Sequence, residues 1–261
     1  MENNHQQLLD AYKDIASVLD KHGIRYYGVF GTAIGAVRHH GIIPWDDDLD
    51  IAIMAKDLDD VNKVLSEELD PSKYYYHCPS ADSHPHVVIK TEDFDTTLKE
   101  RKAAFIDIFV LMDYPDSSLR NALIYPFCGF ELLSHKMIDE HGKFIQSMFY
   151  GIMHISRKMI RFLSKENTKR LNIRAVQVSK YSWFREDFKD IVMMEFEDTV
   201  MPIPRGYDRM LTSFYGDYMT PPPEDQRSGA TGYPYGLYKD YLEDMSGDVK
   251  RPRLCCRDLP K

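Results

Sequence analysis

Apolar positions along the chain fall into clear runs. Leu8, Leu9, Tyr12, Ile15, Ala16 and Leu19 recur at helical spacing, so the chain is predicted to open with an amphipathic helix closed by Gly23 as its C′ residue. Tyr26 to Phe30 is a short β-branched and aromatic run, predicted as a strand that Gly31-Thr32 breaks. Ala33 to His39 suits a short helix packed closely on that strand, and Gly41 and Pro44 punctuate its exit. Asp48 to Met54 is the next strand. Its side chains alternate, with Leu49 and Ile51 facing the core and Asp48 and Asp50 sharing the other face. Asp57 is placed to cap a helix that turns Leu58, Val61, Val64, Leu65 and Leu69 inward and stops at Pro71. Tyr74 to His77, His86 to Thr91 and Phe105 to Met112 read as strands, and Leu119 to Leu133 and Gly142 to Leu163 as Met- and aromatic-rich helices. Pro202 and Pro204 hold an extended segment, Asp208 to Tyr215 form a short helix, and Pro221 to Pro223 stiffen its exit. The polar tail from Asp248 to Lys261 is expected to fray.

This pattern frames the chemistry. Two carboxylates on one strand face repel, and each raises the other's pKa unless a cation sits between them. Hard oxygen donors of this kind suit Mg2+ or Mn2+, with substrate phosphate completing the shell. Asp46, Asp47 and Asp48 alone would read as a solvated loop. Here they follow a strand, a Gly-Thr turn and a helix start, whose backbone N–H groups suit an anion, with Arg38 close behind. Asp107 stands in an otherwise apolar strand, where an unpaired carboxylate is expensive. It needs either a positive partner or the same metal as Asp48 and Asp50. Lys90, at a strand end, is either a phosphate ligand or a snorkelling surface lysine. His77, His84 and His86 lack a cysteine pattern and flank a loop-like SADSHP, so they are read as surface histidines.

Composition narrows the class. The chain of 261 residues is 43% hydrophobic and 28% charged, enough for a sizeable core and for one catalytic domain with an attachment. A formal charge of −8 argues against nucleic acid as partner. The polar start MENNHQQLLDAYKD lacks signal-peptide character, and no uncharged apolar run is long enough to span a bilayer. Cys78, Cys128, Cys255 and Cys256 form no zinc spacing and fit reduced thiols in a cytoplasm, the adjacent pair being open to palmitoylation only in a eukaryotic setting. Arg157, Lys158, Arg161, Lys165, Lys169, Arg170 and Arg174 gather near the end of the second long helix. They suit either a solvated helical cap or a basic helix lying on an anionic membrane.

The stretch GTAIGAVRHHGIIPWDDDLDIAI resembles the signature of the LicD family, which includes the fukutin-like proteins of the nucleotidyltransferase superfamily. FIDIFVLMD resembles the family's IDIFPLD segment, and a Phe-Glu-rich strand, PRGYD and YGDYM resemble its C-terminal pattern. The resemblance implies an α+β fold, a nucleotidyltransferase-like mixed sheet flanked by helices with a helical insertion or cap in the second half. The implied parts are a catalytic core over 1–114, a helical insertion over 115–182 and a C-terminal part over 183–261 that completes the cleft. It also implies catalytic and metal-holding roles for Asp48, Asp50 and Asp107, with Asp107 as base for the incoming hydroxyl. Gly31, Thr32, Arg38, Trp45, Asp47, Lys90 and Arg227 would meet the nucleotide or its phosphates. The implied donor is a CDP-alcohol, typically CDP-choline, and the acceptor a cell-surface glycan, free or lipid-linked, reached from the cytoplasm or the inner face of the membrane. A choline head group calls for an aromatic cage, for which Trp45, Tyr26, Tyr27, Tyr233 and Tyr235 are candidates. Many family members carry histidine after the arginine at Arg227; here Ser228-Gly229-Ala230 follows, so that histidine's role is not carried over. Transfer of NMP to a small acceptor, transfer of ribitol or glycerol phosphate, and a non-catalytic scaffold remain the rival readings.

Overall fold

A computed structural model describes residues 2–77, 84–90, 104–140, 143–164, 168–173 and 182–227. Helix α1 (Glu2–Lys21) leads through a turn at Gly23, whose φ of +64° suits glycine, into strand β1 (Tyr26–Gly28). Helix α2 (Phe30–Ile34) continues as a π-helical turn over Gly35–His39. Strand β2 (Leu49–Met54), helix α3 (Leu58–Glu68), β3 (Tyr74–His77), β4 (His86–Ile89) and β5 (Phe105–Tyr114) follow. Two long helices, α4 (Ser118–Glu140) and α5 (Lys143–Ser164), then separate β5 from β6 (Arg170–Ile173) and β7 (Ser182–Phe184). A hairpin of β8 (Ile191–Phe196) and β9 (Thr199–Pro204) and helix α6 (Tyr207–Tyr215) complete the described elements.

The result is a mixed α/β structure. Its main sheet runs β1-β2-β5-β4-β3, with β6 on the last part of β5 and β7 on β6. Only β2 and β5 pair in parallel; the other neighbours are antiparallel. Leu49, Ile51, Ile53, Ile106, Ile108 and Val110 from the central strands are buried, as the alternation predicts. Each contributes about 1.5–3 kcal/mol relative to exposure. Leu8, Tyr12, Ile15 and Leu19 of α1 join the same core, and the Tyr12 hydroxyl donates to the Val200 carbonyl at 2.6 Å, tying α1 to the β8–β9 hairpin.

Three local differences from the sequence reading have physical causes. The first strand stops at Gly28, because Phe30 takes a left-handed φ of +46° and starts the helix early. That backbone strain is offset by ring contacts from Phe30 to Phe109 at 5.1 Å, Phe214 at 5.0 Å and Trp183 at 5.4 Å. The strand beginning at Asp48 starts one residue later, at Leu49, and the Asp107 strand extends to Tyr114 through pairing with β6. The basic cluster is not one face: Arg157 is buried and donates to Glu131 of α4 at 2.9 Å, while Lys169 and Arg170 lie on or next to β6. Lys165, Arg174, Cys78, Cys255, Cys256, Tyr233, Tyr235, Ser228 to Ala230 and the tail lie outside the described residues.

Candidate active site

The parallel pairing of β2 and β5 fixes the centre of the site. In that register Asp50 stands directly opposite Asp107. Side chains directly opposite on neighbouring strands project from the same face of the sheet. Asp48 precedes them by one alternation, and the loop before it brings Asp46 and Asp47 alongside. Carboxylate oxygens of Asp46, Asp47 and Asp48 all lie within 4.8 Å of one another.

That loop is held from three directions. His5 of α1 hydrogen-bonds the Asp46 carbonyl at 2.7 Å. Glu197, at the β8–β9 turn, accepts from the Ile42 N–H at 3.0 Å, and its own N–H donates to the His40 carbonyl at 2.8 Å. A methyl group on Gly35 would collide with the Gly41 carbonyl, so the π-helical turn and the loop touch through bare backbone.

Electrostatics in the cluster are strained. Burial first, then Asp46, Asp107 and Asp47, pushes the Asp48 carboxyl up to about 8. Burial, then Asp48, Asp107 and Asp46, holds Asp50 well above the carboxylate range even though the Gly31 N–H donates to it. Burial raises Asp46 as well, against a hydrogen bond from Asp48 that lowers it. The buried Asp47 Oδ1 has no hydrogen-bond partner among the described residues. Crowded carboxylates and an orphaned buried oxygen are the donor set that a hard divalent cation satisfies, so these residues fit Mg2+ or Mn2+.

Asp107 differs. Burial alone would raise it, but His84 and His86 outweigh that and hold its carboxyl at about 2. His86 Nδ1 lies 2.5 Å from Asp107 Oδ1, and His84 Nε2 lies 3.5 Å from the same oxygen. The reading of His84 and His86 as surface histidines is therefore corrected: His86 is buried opposite Asp107 in the β4–β5 register, and His84 stacks on Phe109 at 4.3 Å. The side chain of His77 lies outside the described residues.

The other sequence-named residues divide into two groups. Gly31 and Thr32 serve Asp50: the Gly31 N–H bonds its carboxylate, and Thr32 Oγ1 accepts its backbone N–H at 2.7 Å. Arg38, Trp45 and Arg227 come together beside the acidic loop. Arg227 lies over the Trp45 ring at 4.6 Å and Arg38 at 6.0 Å. Burial and the neighbouring Arg227 lower the Arg38 pKa, as two cations without an anion between them require. Arg38 also donates to the Tyr218 carbonyl at 2.5 Å, and the Tyr218 hydroxyl donates to Asp208 at 2.8 Å, so the YGDYM segment braces this arginine. Lys90 is not brought to the acids. It stands four residues beyond His86, about 13 Å along an extended chain, and its Nζ donates to the Pro71 carbonyl at 2.6 Å. Tyr26 and Tyr27 are core residues, the latter donating to the Phe188 carbonyl at 2.8 Å, which removes them from any aromatic cage.

Two further residues join the site without having been given a role in it from the sequence. Asp46 belongs to the acid cluster. Tyr215, the last residue of α6, is 43% exposed, but the surroundings of its hydroxyl raise the hydroxyl pKa, by desolvation and then by Asp50, Asp46 and Asp48, so that end faces the carboxylates. Its membership in the YGDYM segment was the only sequence signal.

Two expectations follow. A Cβ on Gly31 would sit 2.7 Å from Asp46 Oδ2. Gly31→Ala therefore displaces Asp46 and lowers turnover about tenfold or more, with the melting temperature changed by only a few degrees. Steady-state kinetics beside a thermal melt checks this. The second concerns pH. Asp48, with a folded pKa of about 8 above its unfolded value, contributes stability at low pH that is lost as pH rises through about 8. Chelator-treated protein is expected to melt at lower temperature near pH 8.5 than near pH 6, and Mg2+ to raise the melting temperature more at the higher pH, by about 3 °C or more. Equal Mg2+ gains at both pH values would count against the cluster as the binding site.

With this geometry in place, comparison with known proteins defines the class. The family model for LicD/FKTN/FKRP, nucleotidyltransferase domain, matches residues 23–136, which span β1 to β5 and both acid-bearing strands. Over those residues the chain is similar to the LicD family. Among its relatives is the lipopolysaccharide cholinephosphotransferase LicD of Haemophilus influenzae, 24% identical over 254 residues, covering 87% of this chain and 92% of the relative. An uncharacterized protein of Rickettsia typhi is 30% identical over 176 residues, 55% of this chain and 57% of the relative. The human ribitol 5-phosphate transferase FKRP is 34% identical over 61 residues, 23% of this chain and 12% of the relative.

Proposed function

We propose that the chain is a divalent-cation-dependent transferase that moves a phospho-alcohol, phosphocholine in the first instance, from a CDP-linked donor to a hydroxyl of a cell-surface glycan. The observation that carries this reading is the Asp50–Asp107 pairing across β2 and β5, with Asp48 and Asp46 crowded against it. Its support from similarity is the cholinephosphotransferase LicD, aligned over 92% of that protein's length. The proposed fold family is nucleotidyltransferase-like, with a core over 1–114, a helical part over 115–182 and a cleft-completing part over 183–261.

In this reading Asp48, Asp50 and Asp107 hold Mg2+ or Mn2+, with Asp46 and Asp47 beside them. When bound, the cation screens the donor pyrophosphate and the charge that develops on the leaving nucleotide. Arg38 and Arg227 take phosphate oxygens, an anion between two guanidinium groups relieving their mutual repulsion. Trp45 offers its ring to the cytosine base or to the quaternary ammonium group. The acceptor oxygen attacks the phosphorus that bears the choline ester, the bond to CMP breaks, and the acceptor's proton passes to the Asp107–His86 pair. His84 and His86 keep Asp107 ionised and oriented, so its carboxylate is the group placed to receive that proton. In this reading the reaction takes place in the cytoplasm or at the inner face of the membrane. Ribitol 5-phosphate is the second head group, supported by the similarity to FKRP over 61 residues.

Calorimetric titration of CTP, CMP, CDP-choline and CDP-ribitol, with and without Mg2+, tests the reading. Mg2+-dependent binding that is tightest for a CDP-alcohol supports it, and the preferred compound names the head group. Preference for free nucleoside triphosphates would turn the reading toward transfer of NMP, and absence of nucleotide binding toward a scaffold.

A further inference from the structure

The α4–α5 hairpin leaves a large apolar surface uncovered by any described residue. On α4 the exposed positions are almost all apolar: Leu119 (71% exposed), Leu123, Tyr125, Phe130, Leu132 and Leu133, with Ala122, Pro126 and Gly129 between them. At 100° per residue they cover about half the circumference of the helix. On α5, Phe144 (86%), Met148, Ile155 (61%) and Phe162 (76%) recur at spacings of four and seven, forming one stripe along the exposed side. Soluble monomers rarely expose contiguous apolar surface of this extent. The hairpin is packed against itself by Phe149 and Met153 and the buried Arg157–Glu131 pair, and reaches the sheet through Met112, Ile124, Cys128 and Ile160 at its base. It therefore stands as an arm with an apolar outer face.

Charge selects the occupant. Helix α5 contains no acidic residue, and Glu131, the one carboxylate whose side chain is described on either helix, is buried against Arg157. Among the charged side chains described on the arm, Arg120, Lys158 and Arg161 are the ones open to solvent, on a chain whose formal charge is −8. At the start of α4 lies a cleft of about 1290 Å³ in whose lining Arg25, Lys56, Lys169, Arg170, Arg185 and Lys189 outnumber Asp57, Asp116 and Glu186. A second copy of the arm would bring like charges together; an anionic lipid surface complements them. No described helix is long and apolar enough to cross a membrane, so the arm lies in the interface.

From this we infer that the α4–α5 hairpin docks the protein on an anionic membrane, Leu119, Leu123, Phe144, Ile155 and Phe162 entering the acyl boundary and Arg120, Lys158 and Arg161 meeting lipid phosphates. The inference is independent of the transferase reading, since it uses none of the acid-cluster residues. It is tested by flotation of the full chain with vesicles of phosphatidylcholine alone or with roughly 30% phosphatidylglycerol. The expected result is binding to the anionic vesicles, weakened by salt. Binding falls about tenfold or more in Phe144→Gln/Ile155→Gln/Phe162→Gln, and also in Arg120→Glu/Lys158→Glu/Arg161→Glu. These positions are accessible in the folded chain, so circular dichroism and the melting temperature of both variants should match the parent. Absence of binding to either vesicle overturns the inference. So does a concentration-dependent dimer, seen by light scattering, that the triple-glutamine variant abolishes without any effect on vesicles, which would make a second copy the occupant.

Discussion

Asp50→Asn lowers turnover by about a thousandfold and, in chelator-treated protein, raises the melting temperature. Both effects arise from one feature. Asp50 stands opposite Asp107 and within reach of Asp48 and Asp46, so its ionised form is opposed by burial and by three neighbouring carboxylates. Asparagine keeps the shape and still accepts from the Gly31 N–H, while the Thr32 hydroxyl continues to hold the backbone of residue 50. It removes a group that the metal-free fold must hold protonated against its ordinary ionisation, which relieves that fold, and one hard oxygen donor, which the cation needs. The assignment therefore demands a crossing: the variant is more stable than the parent without Mg2+, and gains little or nothing when Mg2+ is added. Lower stability in chelator together with an unchanged Mg2+ response would show that Asp50 is a structural carboxylate.

Glu131→Ala costs about 3–5 kcal/mol, the largest stability effect expected of a single substitution outside the sheet core. Glu131 and Arg157 are each 5% exposed, and the guanidinium and carboxylate meet at 2.9 Å between α4 and α5. Removing the carboxylate strands a buried cation. The melting temperature falls by about 10 °C, and hydrogen exchange accelerates first within residues 118–164, because among the described residues the arm's apolar anchorage on the sheet is the small cluster around Met112 and Ile160. Replacing both partners, as Glu131→Met/Arg157→Leu, recovers most of the loss, since similar apolar volume without buried charge is tolerated. A Glu131→Ala variant as stable as the parent would mean that the pair does not fix the two helices.

These cases mark how far the sequence could be read. Alternation in DLDIAIM placed Leu49 and Ile51 in the core and put Asp48 and Asp50 on the opposite face, because the period of a strand decides the side of every residue, while Asp107 stood out as a lone acid in an apolar run. Pairing Asp50 with Asp107 needed a parallel register between segments more than fifty positions apart, which no local pattern encodes. His84 and His86 were misread for the same reason: the loop signal SADSHP argued for surface, whereas the β4–β5 register turned His86 onto Asp107. Arg157 sat in a run of cations that reads as a solvated face, and only the crossing of α4 showed its buried partner. Tyr215 and Arg38 depend on how α6 folds back over the loop, a contact between residues about 180 positions apart in the case of Arg38 and Tyr218. Lys90 was named by its place at a strand end, and the length of β4 carries it away from the acids.

If the acid loop and the carboxylates of β2 and β5 share a divalent cation, diffraction from crystals soaked in Mn2+ and recorded at the metal's absorption edge will locate it. One or two anomalous peaks are expected, bounded by Asp48, Asp50 and Asp107 and absent in Asp50→Asn. A fully occupied peak elsewhere, or an empty cluster at saturating Mn2+, would contradict it.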